Sequence, residues 1–190
     1  MTKKRATLLW LDLEMTGLDP TEDRILEVGA IATDWDFNEI ATLASAVKVD
    51  GEIIGERMRG EFWKKFAKVR KKLVEQNNEA ELTSEEVEKL ILKFILENFD
   101  SSQPVYLAGN SVYKDREFIK NEWAVLDDML HYRMLDVSAW KIVFANKFGI
   151  EVKKPDRHRA VEDIKGSIEE LRVYVDIVSK GMKVKQEDKK

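Results

Sequence analysis

Apolar positions recur along this chain with two different periods, and the change between them divides it. Residues 7–14 (TLLWLDLE), 24–33 (RILEVGAIAT) and 40–49 (IATLASAVKV) are apolar or alternating runs, separated by the turn-rich stretches TGLDPTED and DWDFN. They predict three strands joined as an antiparallel meander. The spacing then shifts to three and four. Met58, Phe62, Phe66, Val69 and Leu73 predict one face of a single helix. After NNEAEL, Thr83 and Glu86 form a capping-box pattern ahead of Val87, Leu90, Ile91, Phe94 and Ile95. Two short apolar runs follow, PVYLA (104–108) and RMLDV (133–137), and each leads into a helical pattern. The first helix begins near Ser111 and carries Phe118, Ile119 and Trp123. The second is capped by Ser138, carries Val143, Phe144 and Phe148, and stops at Gly149. A last helix aligns Val161, Ile164, Ile168, Leu171, Val175 and Val178. This order predicts an α/β domain: a mixed five-stranded sheet, antiparallel meander plus parallel strands, flanked by helices. A single domain is expected over residues 1–182, with KVKQEDKK (183–190) as a flexible tail.

Composition narrows the classes. With 190 residues, 44% of them hydrophobic, the chain can bury one substantial core. No apolar run is long enough to span a membrane. The N-terminal MTKKRATLLW has no cleavage-site pattern and reads as the start of the fold. Cysteine is absent, which excludes disulfides and thiolate metal sites and suits a reducing compartment; the cytoplasm is the expected location. The net charge of −4 fits a small or short substrate better than a long polyanion.

One strand carries a chemical anomaly. Asp12 and Glu14 stand two apart in residues 7–14, so both carboxylates share one face while Leu9, Leu11 and Leu13 share the other. Burying two carboxylates side by side is costly, and a basic partner, a shared proton or a bound cation must offset this. Asp115 follows a strand near a helix start; taken alone, it reads as a solvated acid favouring the helix dipole. His158 and Asp163 lie in PDRHRAVED at the start of the last helix, with Ala160 and Gly166 beside Asp163. Together, Asp12, Glu14, Asp115 and Asp163 could form an oxygen cage for hard divalent ions, and a nearby imidazole could take a proton from water.

With these residues in place, the chain resembles the oligoribonuclease family of DEDDh 3′–5′ exonucleases, on a ribonuclease-H-like fold. WLDLEMTGLDP is similar to the family's first motif, GNSVYKDREF to its second, HYRMLDVS to a typical segment and HRAVEDI to its last. The resemblance implies that Asp12, Glu14, Asp115 and Asp163 hold two Mg²⁺ or Mn²⁺ ions. It makes His158 the general base on the attacking water, with 5′-mononucleotides as products and very short RNA, dinucleotides above all, as substrate. It assigns Leu18 as an apolar wedge against the bases, and Ser111, Ser138 and Arg133 to a cap over the 5′ phosphate. It further implies a homodimer in which Tyr132 and Arg133 complete the site in trans, and no membrane partner. Leu18 could instead only pack its loop, each serine could be a helix cap, and HYR could only pack the dimer or the local core.

One stretch departs from the family pattern. Relatives carry a Trp, then a His and a Ser/Thr-Gly-Leu step. Here MRGEFWKKFAKVRKKLVEQ supplies Trp63 but no His, and places Lys64, Lys65, Lys68, Arg70, Lys71 and Lys72 in the segment. A solvated helix face is the expected reading; an altered groove for longer ligands is the alternative. A proofreading-type DNA exonuclease would share the acids and the histidine. An inactive nucleic-acid-binding module on the same fold is the competing reading from outside enzymology.

Overall fold

The structure, a computed structural model, describes residues 5–153 and 159–187. Five strands form one sheet in the order β3-β2-β1-β4-β5. They are β1 (Leu8–Met15), β2 (Ile25–Thr33), β3 (Glu39–Ala46), β4 (Val105–Gly109) and β5 (Leu130–Asp136). β1, β2 and β3 pair antiparallel, while β4 runs parallel to β1 and β5 parallel to β4. The mixed sheet is the one the pattern predicts, and the short first connections against the long later ones are the reason.

The pleat of β1 sorts its side chains into two layers. Leu9, Leu11 and Leu13 enter one core with Trp63, Leu73, Ile91 and Phe118. Leu8 and Trp10 enter the other with Phe144, Ile164, Ile168 and Tyr174. Asp12 and Glu14 continue the second face beyond the apolar layer, at the C-terminal end of the strand.

The helices are α1 (Gly51–Arg57), α2 (Glu61–Lys65), α3 (Ala67–Glu79), α4 (Ser84–Asn98), α5 (Tyr113–Glu122), α6 (Ala124–Met129), α7 (Val137–Phe148) and α8 (Ala160–Glu187). The single helix face expected from Met58 to Leu73 is divided among three helices. Gly60 is extended ahead of α2, and Phe66 (φ −102°, ψ 39°) ends α2 and opens α3. A three-four spacing counts residues and cannot tell one straight helix from short pieces that turn back on the same core. Here the breaks leave Met58, Trp63 and Leu73 buried. The capping box at Thr83 and Glu86 forms as expected, and Gly149 closes α7 at φ +66°. Ser138 does not cap α7. Asp136 does, accepting the Ser138 backbone N–H at 2.9 Å. Ser111 caps no helix either, since α5 starts at Tyr113 after Val112.

α8 continues to Glu187, into the stretch expected as a tail. Its first turn lies directly on the sheet. A Cβ on Gly29 would come within 2.8 Å of Ala160 and Val161, so only glycine allows this approach. Gly29 is the cross-strand partner of Asp12, and the close contact brings the start of α8 beside the acids. Among the described residues, no helix is long and apolar enough to cross a membrane.

Candidate active site

β1 contributes Asp12 and Glu14 from one face, and the first turn of α8 contributes Asp163. Carboxylate oxygens of the three lie within 4.8 Å of one another. Asp163 is fixed by its own helix start: its Oδ2 accepts the Arg159 backbone N–H at 3.0 Å, and its N–H donates to the Arg159 carbonyl at 2.9 Å. The crowding is expressed in acidity. Burial, then the charges of Glu27 and Asp163, push the Glu14 carboxyl up to about 8, against an opposing pull from Arg159. Three half-buried carboxylates this close cannot all ionise without a counter-charge. A close-packed all-oxygen donor set fits a hard divalent cation.

Asp115 stands beside this group rather than within it. Its buried side chain comes from the first turn of α5, and Oδ1 accepts the backbone N–H of Leu13 at 2.9 Å. Burial pushes its carboxyl up to about 7; the Leu13 hydrogen bond pulls the other way, and the charge of Asp136 adds to the rise. Its charge also reaches Glu14. His158 lies outside the described residues.

The loop after β1 walls a cavity of about 470 Å³ that starts at Glu14 and passes Thr16, Leu18, Phe62 and Trp63. Leu18 is 70% exposed and lines this cavity. Five hydrogen bonds hold the loop in place. The Trp63 indole donates to the Thr16 carbonyl at 2.8 Å, and Lys114 Nζ donates to the Leu18 carbonyl at 3.2 Å. Asp23 accepts from Thr16 Oγ1, from the Asp19 N–H and from Arg57 Nε at 2.8 Å. Burial alone would raise the Asp23 carboxyl, but these donors, Arg57 first, hold it below its ordinary value. Sequence reasoning passed over Asp23 and Arg57. An acid in a turn-rich stretch is common, and its arginine lies 34 residues away.

Ser111 and Ser138 meet at the ends of β4 and β5. Their hydroxyls are 3.0 Å apart, and the Ser111 N–H is shared between Ser138 Oγ at 2.8 Å and Asp136 Oδ1 at 3.0 Å. Ser111 adopts φ +51°, a left-handed conformation that is uncommon for serine and recurs at functional sites. Asn110 bridges onward, accepting from Ser138 Oγ and donating to Ser167 Oγ at 2.7 Å on α8.

Tyr132 and Arg133 are not brought to the acids. β5 is an edge strand, Tyr132 is 71% exposed, and the Arg133 guanidinium lies over its ring at 4.9 Å. Met134 is level with Leu107, and Leu107 with Leu9. Arg133 is therefore about four residues, roughly 13 Å, before the level of Asp12, and about 10 Å to one side across two strand spacings.

Comparison with known proteins agrees with this geometry. Residues 9–171 match the exonuclease family RNase_T. The oligoribonuclease of Francisella tularensis subsp. novicida is 36% identical over 171 residues, covering 88% of this chain and 93% of that protein. The oligoribonuclease of Chromobacterium violaceum is 33% identical over 177 residues, covering 92% and 96%. Among solved structures, E. coli exonuclease I in a zinc-bound complex with single-stranded DNA superposes with a TM-score of 0.59 at 16% identity, covering 87% of this chain and 39% of that one. Exonuclease I from Methylocaldum szegediense gives 0.58 at 18%, covering 85% and 38%. The chain thus spans about two-fifths of those exonuclease I chains. At such identities the likeness is one of fold, the ribonuclease-H-like fold.

Proposed function

The chain belongs to the oligoribonuclease family of exonucleases, and from that premise we propose that it is a 3′-to-5′ exoribonuclease that hydrolyses very short RNA, dinucleotides above all, to 5′-mononucleotides in the cytoplasm. The observation that carries this reading is the convergence of Asp12, Glu14 and Asp163, with Glu14 also lining a cavity alongside Leu18, Phe62 and Trp63. Acids for phosphodiester chemistry and an apolar wall for bases adjoin each other there.

In this reading Asp12, Glu14, Asp115 and Asp163 hold two divalent ions, Mg²⁺ or Mn²⁺. Such ions supply Lewis acidity, lowering the pKa of water and stabilising charge on the attacking and leaving oxygens of a phosphoryl displacement. His158 takes the proton of the attacking water; an unperturbed imidazole near pKa 6.5 suits that task at neutral pH. The water oxygen attacks phosphorus, and the 3′-oxygen of the preceding nucleotide leaves. Leu18 touches the bases without reading their edges. Ser111 and Ser138, with Arg133, hold the 5′ phosphate one linkage away, so that a longer chain meets a closed end.

The distance of Arg133 from its own acids supports a homodimer in which Tyr132 and Arg133 serve the partner's site. So does an apolar groove of about 750 Å³ between α7 and α8, where Val143 and Phe148 are more than half exposed.

Product analysis on labelled RNAs of two to seven nucleotides, with Mg²⁺, Mn²⁺ or chelator, tests the reading. Release of 5′-mononucleotides, fastest from dinucleotides and abolished by chelator, is expected. Metal-dependent binding without release would favour the inactive binding module, and faster cleavage of single-stranded DNA the proofreading-type exonuclease.

A further inference from the structure

None of the roles above uses Glu27, yet it is a buried carboxylate that faces another carboxylate across the sheet. It sits on β2 directly across from Glu14 and is 3% exposed. Like charges facing each other across a strand pair destabilise it, and burial sharpens the cost. Two donors from distant elements converge on it. Arg159 Nη2, from the segment entering α8, lies 3.0 Å from Glu27 Oε2, and Gln76 Nε2, from α3, lies 2.9 Å from the same oxygen.

Arg159 faces two ways. Its side chain reaches Glu27, while its backbone N–H holds Asp163 Oδ2 and its carbonyl receives the Asp163 N–H. One residue therefore links a sheet carboxylate to the helix carboxylate that must meet Asp12 and Glu14. Two positions along the same face of β2, Gly29 carries the backbone of Ala160. Gly29 sets how close α8 comes, but a flat contact does not set how its first turn is rotated. The ion pair adds a second contact, from the side chain of the residue just ahead of that turn.

We propose that Glu27 and Arg159 are positioning residues whose ion pair, steadied by Gln76, orients the first turn of α8 so that the Asp163 carboxylate is aimed at Asp12 and Glu14. The proposal rests on the reading of Asp163 as a metal ligand. A purely electrostatic role is the alternative, and it makes a different prediction. Removing the negative charge of Glu27 would weaken cation binding, whereas removing the positive charge of Arg159 would strengthen it. The tether instead requires both losses to act in the same direction.

The test compares Glu27→Gln, Arg159→Met and the double variant with the wild-type chain, reading Mn²⁺ binding by calorimetry, kcat and KM on a labelled dinucleotide, and Tm. Both single variants are expected to weaken Mn²⁺ binding and lower kcat by about tenfold, the scale on which groups supporting metal ligands act. KM should stay within about twofold, because the base-binding wall is untouched. The double variant should be no worse than the worse single one, since both break one contact. Arg159→Lys should recover part of the loss. Arg159 is 40% exposed on its side chain, so methionine there is compatible with folding. Opposite shifts in Mn²⁺ affinity, additive losses in the double variant, or unchanged Mn²⁺ binding would overturn the proposal. A wild-type chain that releases no mononucleotide would instead sink the exoribonuclease reading, and the calorimetry would still judge the tether.

Discussion

The carboxylate of Asp115 accepts the backbone N–H of Leu13, the residue between Asp12 and Glu14, at 2.9 Å. A helix from the second half of the chain is thereby tied to the acidic end of β1. Asp115→Asn keeps a carbonyl oxygen to accept that N–H while removing a buried charge. The metal-free variant is expected to melt no lower than wild type, and turnover of a labelled dinucleotide to fall by about 100-fold or more, the loss of several kcal/mol of charge stabilisation. Differential scanning calorimetry and the turnover assay check the two halves separately.

The raised acids set the pH dependence of the metal-free fold. Glu14 is pushed from 4.5 to about 8 and Asp115 from 3.8 to about 7, both chiefly by burial. Between these limits the folded chain binds more protons than the unfolded chain, so stability falls as pH rises. Tm without metal should therefore drop from pH 5 to pH 8.5, and Glu14→Gln should flatten the fall. Glu122 is raised in the same sense. Asp19, Asp23, Glu86 and Asp100 are lowered, and their contribution is lost only in more acidic solution, below this window. Saturating Mn²⁺ should remove most of the slope, because the ions take the place of the protons.

Leu18 and Trp63 should separate under mutation. Leu18→Ala removes an exposed side chain and should leave stability within about 0.5 kcal/mol while raising KM for dinucleotides. Trp63→Phe deletes the donor to the Thr16 carbonyl, at a cost of about 1 kcal/mol or more, and should loosen the loop that presents Leu18. Denaturant unfolding and steady-state kinetics on both variants read the contrast.

Service in trans predicts complementation. Arg133→Ala and Asp12→Ala chains should each be poorly active alone. Mixed one to one after exchange of subunits, they should regain about a quarter of wild-type turnover, since half of the dimers are mixed and each mixed dimer has one complete site. Dilution below the dimer dissociation range should abolish dinucleotide cleavage by the wild type, which analytical ultracentrifugation can place. Cleavage that persisted in the monomer would refute service in trans.

The basic segment is expected to behave as a solvated surface. Lys64 pairs with Glu61 at 2.6 Å and Lys71 with Glu75 at 3.7 Å within their own helices. Changing Lys64, Lys65, Lys68, Lys71 and Lys72 to Ala should leave dinucleotide turnover within about twofold. A shallower salt dependence confined to longer RNAs would instead reveal an extended groove.

The period of two in residues 7–14 was enough to put Asp12 and Glu14 on one face, because side-chain alternation in a strand is local geometry. The same locality exposed the Thr83 capping box and the left-handed stop at Gly149. What local pattern could not decide was which distant groups would meet those acids. Asp163 arrives because Gly29 leaves room for α8, and Arg57 finds Asp23 only after α1 folds over the loop. The run from Met58 to Leu73 read as one helix because periodicity does not register the breaks at Gly60 and Phe66. Glu27 gave no signal in its own strand, since its partners Gln76 and Arg159 are 49 and 132 residues away. The chain by itself determined the strands, two helix ends at Thr83 and Gly149, and the parity of the first two acids, all set by sterics and hydrogen bonding among near neighbours. The tertiary structure decided the site, because a cluster of carboxylates depends on sheet order and on how closely one helix can approach, and neither is encoded in any short stretch.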